Sequence, residues 1–297
     1  MDKILVVALI LLAIILLGIL WCLTEPFILI KDRTTLKKSS LTSEAISEKT
    51  IRKLPRTTKN NSEEPDFRFF FFSDIHTEWC PANAKRLCNA IRDAQKRSQI
   101  DAVLFGGDIV TYPQNAEKGY KYLSIVSSFC KENGIPFYGI SGNHDLELKN
   151  APEKSGFVSL DLTSTTVTSK DKKHTICITG VPDSGKLNRI WQKKLSCSNE
   201  HPVLLLAHNP DSLLHIDADS RPDFMLSGHL HGGQMKLPFR FEFNVLRTTD
   251  TFPKMNVIEG HFNITGTEVF ISRGVGCGIL PFRFISFPEA TIVEIKL

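Results

Sequence analysis

The chain has 297 residues, with 36 Lys+Arg against 32 Asp+Glu and a formal net charge of +4. A hydrophobic share of 42% with only 18 Gly and 7 Cys excludes a disordered chain, a collagen-like chain and a small disulfide scaffold. Nine basic and five acidic side chains lie between residues 31 and 64, so this one stretch holds the whole charge excess. The remainder carries 27 charges of each sign, which excludes the basic face that a nucleic-acid partner requires.

Residues 4–23 contain no charge, and only Gly18 falls outside the hydrophobic set. Twenty residues of helix cover roughly 30 Å, the hydrocarbon thickness of a bilayer. No small-x-small cleavage site follows, and Trp21 stands where a lipoprotein cysteine at position 22 would need a small residue. The segment therefore predicts a single transmembrane helix that is not removed. Lys3 precedes it, whereas Lys31, Arg33, Lys37 and Lys38 follow within twenty residues. That asymmetry predicts a single-pass protein of the cytoplasmic (inner) membrane with its C-terminal body in the cytoplasm. Seven cysteines without a CxxC pair predict reduced thiols, in agreement.

Residues 24–65 are rich in Lys, Ser, Thr and Glu and poor in large apolar side chains. They read as a basic flexible linker with an end-to-end distance of roughly 30–35 Å. Its positive charge can meet anionic headgroups at about 1 kcal/mol per basic residue.

Residues 66–297 read as one domain. Phe69 to Phe72 suits a buried strand, Ala84, Leu87, Cys88, Ile91 and Ala94 recur at helical spacing, and Asp101 to Phe105 is the next strand. Tyr122, Val126, Phe129 and Cys130 mark a second helix that ends before Gly134, and Ile135 to Ile140 is a third strand. The order βαβαβ implies parallel pairing. Later strands are expected at 175–179, 203–207, 224–226, 268–272 and 291–295. Leu237, Phe239, Phe241, Phe243 and Val245 alternate with polar residues, the pattern of a half-buried strand whose aromatic face packs on the core or receives acyl chains.

Five apolar runs end in Asp, Asn or His. Asp74 and His76 follow the first, Asp108 the second, and Asn143, His144 and Asp145 the third. His208 follows the run at 203–207, and His229 and His231 the run at 224–226. Ligand sites of α/β sheets lie outside the carboxyl ends of strands, so these residues should converge. His, Asp and Asn without thiolates suit a borderline or hard divalent ion such as Mn, Fe or Zn. Seven candidates (Asp74, His76, Asp108, Asn143, His208, His229, His231) exceed the need of one ion and point to two that share a carboxylate. Two ions about 3.5–4 Å apart can activate a bridging water and clamp an in-line displacement at phosphorus. His144 is left for acid catalysis on the leaving group.

The ordered set Asp74-x-His76, Gly107-Asp108, Gly142-Asn143-His144-Asp145, His208 and Gly228-His229-x-His231 resembles the calcineurin-like metallophosphoesterase superfamily. The resemblance implies an α/β (α+β) fold in which two mixed β-sheets pack as a sandwich flanked by helices. It also implies one metal on Asp74, His76, Asp108 and His231, a second on the bridging Asp108 with Asn143, His208 and His229, and His144 as general acid. Ala207-His208-Asn209-Pro210-Asp211 and Ser272-Arg-Gly-Val-Gly276 with Pro281-Phe-Arg-Phe284 are similar to a membrane-associated phosphodiesterase branch. That branch includes the UDP-2,3-diacylglucosamine pyrophosphatase of lipid A synthesis, which releases UMP and 2,3-diacylglucosamine 1-phosphate. Asp108 is followed by Ile-Val-Thr111, and Asp145 stands where Ser/Thr protein phosphatases have Glu, so protein phosphatase activity is not expected. What orients His144 is left open. Arg240, Arg273 and Arg283 can each meet a phosphate bidentately, with Arg283 preferred for its place in Pro-Phe-Arg-Phe. The expected activity is hydrolysis of a lipid-linked phosphate or diphosphate with two divalent ions, Mn²⁺ foremost. The alternatives are a phosphodiesterase of other lipid or nucleotide substrates and a non-catalytic membrane scaffold.

Overall fold

The computed structural model describes residues 3–56, 64–183, 195–197 and 200–297. Helix α1 (Lys3–Thr24) has no buried residue, and with the turn that follows it is long and apolar enough to cross a membrane. The flexible linker expected next is instead largely built into the body. Ile30–Lys37 forms strand β1 and Ile51–Leu54 forms strand β2, each at the edge of a sheet. Thr34 and Leu36 are fully buried, and the β-branched Thr34-Thr35 favours an extended backbone. Several of the basic residues that suggested a solvated leash are matched by acids from far along the chain. Lys31 pairs with Asp93 (2.7 Å), Arg33 with Glu294 (3.1 Å) and Lys38 with Asp223 (3.1 Å). Charged edge strands of this kind also discourage pairing with other chains.

Strand β3 (Phe67–Phe72) explains the layering. Its side chains alternate between two cores, and every Phe in it is buried. Phe70 and Phe72 face Leu87 and Ile91 of helix α2 (Ala84–Arg97). Phe69 and Phe71 face the second sheet. The chain continues through β4 (Ala102–Phe105), α3 (Ala116–Glu132) and β5 (Phe137–Gly139), giving the parallel βαβαβ unit expected from the sequence. Asn83 caps α2 by accepting from the Arg86 N–H, and Gly134 (φ 64°) closes α3. Then come α4 (Ala151–Ser155), β6 (Val158–Ser159), β7 (Ser164–Thr168), β8 (Thr175–Val181), β9 (Val203–Ala207), β10 (Phe224–Ser227), β11 (Gly260–Ile264), β12 (Thr267–Ile271) and β13 (Glu289–Lys296).

The first sheet runs β1-β13-β3-β4-β5-β6, the second β2-β11-β12-β10-β9-β8-β7. Both are mixed, because β13 lies antiparallel to β3 and β11 antiparallel to β12. Helices α2 and α3 cover the first sheet, Phe69, Phe71, Leu204, Leu206, Leu226 and Phe270 fill the space between the sheets, and Leu213 and Phe252 cover the second sheet outside. This is the expected sandwich of two mixed sheets with flanking helices.

Two further expectations do not survive. The alternating segment at 237–245 is not a strand but a pair of tight helical turns, Pro238–Arg240 and Glu242–Leu246. Pro238 has no N–H for a ladder, and Phe239 (φ 56°) and Arg240 (φ 52°) are left-handed, so the phenylalanines do not share a face. Phe243 is buried while Phe239 is 95% exposed. Nor are all thiols reduced, because Cys177 in β8 is joined to Cys197 by a disulfide. These cysteines are 20 residues apart and meet only through the fold, which leaves no local spacing to read. Cys22, Cys80, Cys88, Cys130 and Cys277 are free.

Candidate metal centre

The carboxyl ends of β3, β4 and β10, with His208 just beyond β9, bring two buried donor clusters together. Asp74, His76 and His231 form one and Asp108, His208 and His229 the other, with ligand atoms in each within 4.8 Å of one another. The Asp108 carboxylate joins them. Its Oδ2 lies 3.5 Å from His76 Nε2 and 3.2 Å from His208 Nε2. His76 Nε2, His208 Nε2 and Asn143 Oδ1 are buried without a hydrogen-bond partner. Orphaned buried donors and acceptors are rare because desolvation costs about 1–3 kcal/mol each. Three of them converging from imidazoles and an amide oxygen fit the coordination of divalent ions.

The other ring atoms fix the tautomers. His208 Nδ1–H donates to the Gly106 carbonyl (2.7 Å), which leaves Nε2 as the lone-pair donor. The Thr111 hydroxyl donates to the Gly278 carbonyl (3.2 Å) and accepts from His76 Nδ1–H (3.1 Å), with the same result. His229 places Nε2 3.6 Å from Asp250 Oδ1 and Nδ1 3.9 Å from Asp183 Oδ2. Burial alone would raise the Asp108 carboxyl, yet His208 and His76 hold it well below the usual carboxylate range. Burial lowers the His208 ring, but Asp108 overrides it and pushes the ring up to about 10, so before any cation binds Nε2 keeps a proton that the ion would displace. One enclosed carboxylate thus draws positive charge from two rings, the field that a pair of cations would meet.

The backbone is bent to make this possible. Asp74 (φ 53°), His76 (φ 42°), Asp108 (φ 63°), His229 (φ 69°) and His231 (φ 53°) are all left-handed. Such conformations cost about 1–3 kcal/mol each in non-glycine residues. Close approach is equally strict. A Cβ on Gly142 would stand 2.2 Å from Asp108 Oδ1, and one on Gly228 would stand 2.4 Å from Asp74 Oδ2.

His144 lies beside the clusters, its ring 5.0 Å edge-on from that of His76. Its Nδ1–H donates to the main-chain carbonyl of Thr111 (2.9 Å), so Nε2 is the atom available to a substrate. A backbone carbonyl therefore does the orienting that the sequence left open. Asp145 serves the turn instead, accepting from the N–H groups of Asp108, Ile109 and Gly142 (2.8 Å each). Glu78 accepts from Thr111 N, Tyr112 N and Asn115 Nδ2 and so fixes the loop that presents the Thr111 carbonyl. Glu78 and Asp250 carried no signal in the sequence, because each acts across the fold from an unremarked position, and Thr111 stood out only as a departure from the protein phosphatase pattern.

The arginines depart from expectation. Arg283 is fully buried and donates to the carbonyls of Ser286, Arg273, Gly274 and Gly276, so its guanidinium is a structural strut closed to substrate. Arg273 is held by Glu289 (2.6 Å), and Arg240 donates to the Pro253 carbonyl (3.0 Å).

Two donor clusters joined by one carboxylate, with an imidazole alongside, belong to a metal-dependent phosphoester hydrolase that takes two divalent ions. Residues 67–233 match the calcineurin-like phosphoesterase family, more than half of the chain, and the protein belongs to that family. It is 29% identical to the uncharacterized metallophosphoesterase YkuE of Bacillus subtilis over 247 residues, covering 77% of this chain and 79% of the relative. It is also 29% identical to the phosphodiesterase YaeI of Escherichia coli, covering 77% and 82%. Similarity to the UDP-2,3-diacylglucosamine pyrophosphatase LpxG of Chlamydia trachomatis is 30% over 96 residues, 31% of this chain and 29% of that protein.

Proposed function

We propose that the protein hydrolyses a phosphoester or diphosphate bond of a lipid-linked substrate at a membrane surface. The observation that carries this reading is the paired donor cluster on a body whose chain begins with a membrane-length apolar helix. Asp74, His76, Asp108 and His231 would hold one ion, and Asp108, Asn143, His208 and His229 the second. Mn²⁺ is the first candidate, with Fe and Zn as the alternatives that the donor set admits. When bound, the pair supplies an activated water and neutralises charge on the phosphoryl oxygens. Asp108 spaces the two ligand groups, and His144 Nε2 gives a proton to the departing oxygen. If Asp108 bridges, Asp108→Ala should lose both ions and Asn143→Ala only one, which elemental analysis of the purified protein counts directly.

The finer reading is hydrolysis of UDP-2,3-diacylglucosamine to UMP and 2,3-diacylglucosamine 1-phosphate by a domain facing the cytoplasm. The charge asymmetry around α1 and the short likeness to LpxG support it. UMP release with Mn²⁺ tests it. Failure on this substrate together with cleavage of a soluble diester removes the lipid A role and leaves the hydrolase.

The disulfide favours a second reading. Such bonds persist in oxidising compartments, so Cys177–Cys197 argues for a domain on the outer face acting on a different lipid phosphodiester. Intact cells treated with a membrane-impermeant thiol reagent after mild reduction decide between the faces. Labelling at Cys177 and Cys197 before permeabilisation places the domain outside, and labelling only afterwards places it in the cytoplasm.

A further inference from the structure

The end of α1 is fastened to the body beside the metal centre. Glu25 is fully buried, and its carboxylate accepts from Ile285 N (2.8 Å), Ser286 N (2.5 Å) and Trp21 Nε1 (2.7 Å). Arg283 N donates to the Cys22 carbonyl (3.1 Å), and the Trp21 ring meets Phe287 edge-on at 6.2 Å. Ser286 Oγ then donates to the carbonyl of His231, a residue of the first donor cluster (2.7 Å). Two hydrogen-bonded steps thus connect the helix end to a candidate metal ligand.

The same loop turns apolar side chains outward. Ile279 (66% exposed), Leu280 and Ile285 project from it, immediately after Gly278, whose carbonyl accepts from the hydroxyl that holds His76. Gln234 ties the neighbouring segment to this loop, donating to the Leu280 carbonyl (3.0 Å) and accepting at its own carbonyl from Phe284 N (2.9 Å). That segment exposes Phe239 and Phe241, and Phe27 lies exposed at the helix end. Six large exposed apolar side chains therefore lie on segments that hydrogen bonds tie to both α1 and the donor clusters. Exposed apolar side chains grouped on linked segments mark an interaction site. Its continuity with α1 selects the occupant: where an apolar helix leaves a bilayer, the surface continuous with its end lies at the headgroup layer, and Trp21 belongs to that level.

We propose that these side chains form a lipid-facing rim that sinks into the interfacial layer of the bilayer crossed by α1, so that the metal centre is approached from the membrane. The proposal rests on the reading of α1 as a membrane span, and the test keeps the two apart. Full-length protein is reconstituted into phosphatidylcholine–phosphatidylglycerol vesicles as Phe239→Trp, Leu280→Trp and, as a control on the remote edge strand β6, Val158→Trp. Added fluorescence from the two rim variants should be quenched best by bromines near the headgroup end of the acyl chains, about 5–10 Å deep. The control should respond only to aqueous iodide. An alkaline carbonate wash reports on α1 separately. Retention through the wash with rim tryptophans quenched by iodide as strongly as the control overturns the rim and keeps the span. Release by the wash with the rim still quenched by brominated lipid supports the rim and removes the span.

Discussion

His144→Ala should lower kcat by about 10²–10⁴ while leaving the metal content and the unfolding midpoint unchanged. The expectation follows from where the ring sits. His144 belongs to neither donor cluster, its Nδ1–H is committed to the Thr111 carbonyl, and only Nε2 is left to reach a leaving group. A general acid matters most when the departing oxygen is basic. The loss should therefore be large on an alkyl phosphodiester and small on a nitrophenyl ester, whose leaving group departs without help. Loss of a bound ion in the same variant would show that His144 is a ligand, and an equal loss on both substrates would show that it does not donate the proton. Glu78→Ala should give a smaller fall with the same dependence on leaving group, because it loosens the carbonyl that aims the ring.

Arg283→Met should be among the most destabilising single changes in the chain, at about 3–5 kcal/mol. The methionine fills similar volume but donates no hydrogen bond, so the carbonyls of Ser286, Arg273, Gly274 and Gly276 lose a shared partner inside the protein. Burial also lowers the guanidinium's affinity for its proton, although it stays charged. The midpoint of urea unfolding checks this. A variant that keeps its midpoint but shows a raised KM would restore Arg283 to the substrate.

The sequence disclosed the candidate site more fully than the scaffold around it. Asp74, His76, Asp108, Asn143, His208, His229 and His231 are legible because each sits where a run of buried apolar residues stops, and the strand ends of the two packed sheets meet on one side of the sandwich. Strand β1 was illegible because its Lys31 and Arg33 are neutralised by Asp93 and Glu294, neither of them near it in sequence. The alternating segment at 237–245 misled for the opposite reason: its period is that of a strand, but Pro238 and two left-handed residues deny it a ladder. Arg283 illustrates a limit of chemical type as evidence. A guanidinium suited to phosphate is equally suited to a knot of backbone carbonyls, and only packing decides between them. The Thr111 carbonyl that orients His144 has no side-chain identity at all, so no reading of residue types could find it.

The left-handed backbone at Asp74, His76, Asp108, His229 and His231 sets function against foldability. A sequence selected for stability alone would place glycine or asparagine at these five positions and gain free energy at each. It would also erase both donor clusters. The candidate active site is thus kept at the chain's least self-consistent points, and the two sheets behind it supply the rigidity that lets such residues persist. Thermal stabilisation of this protein should be sought at its edges and loops, leaving those five turns as they are.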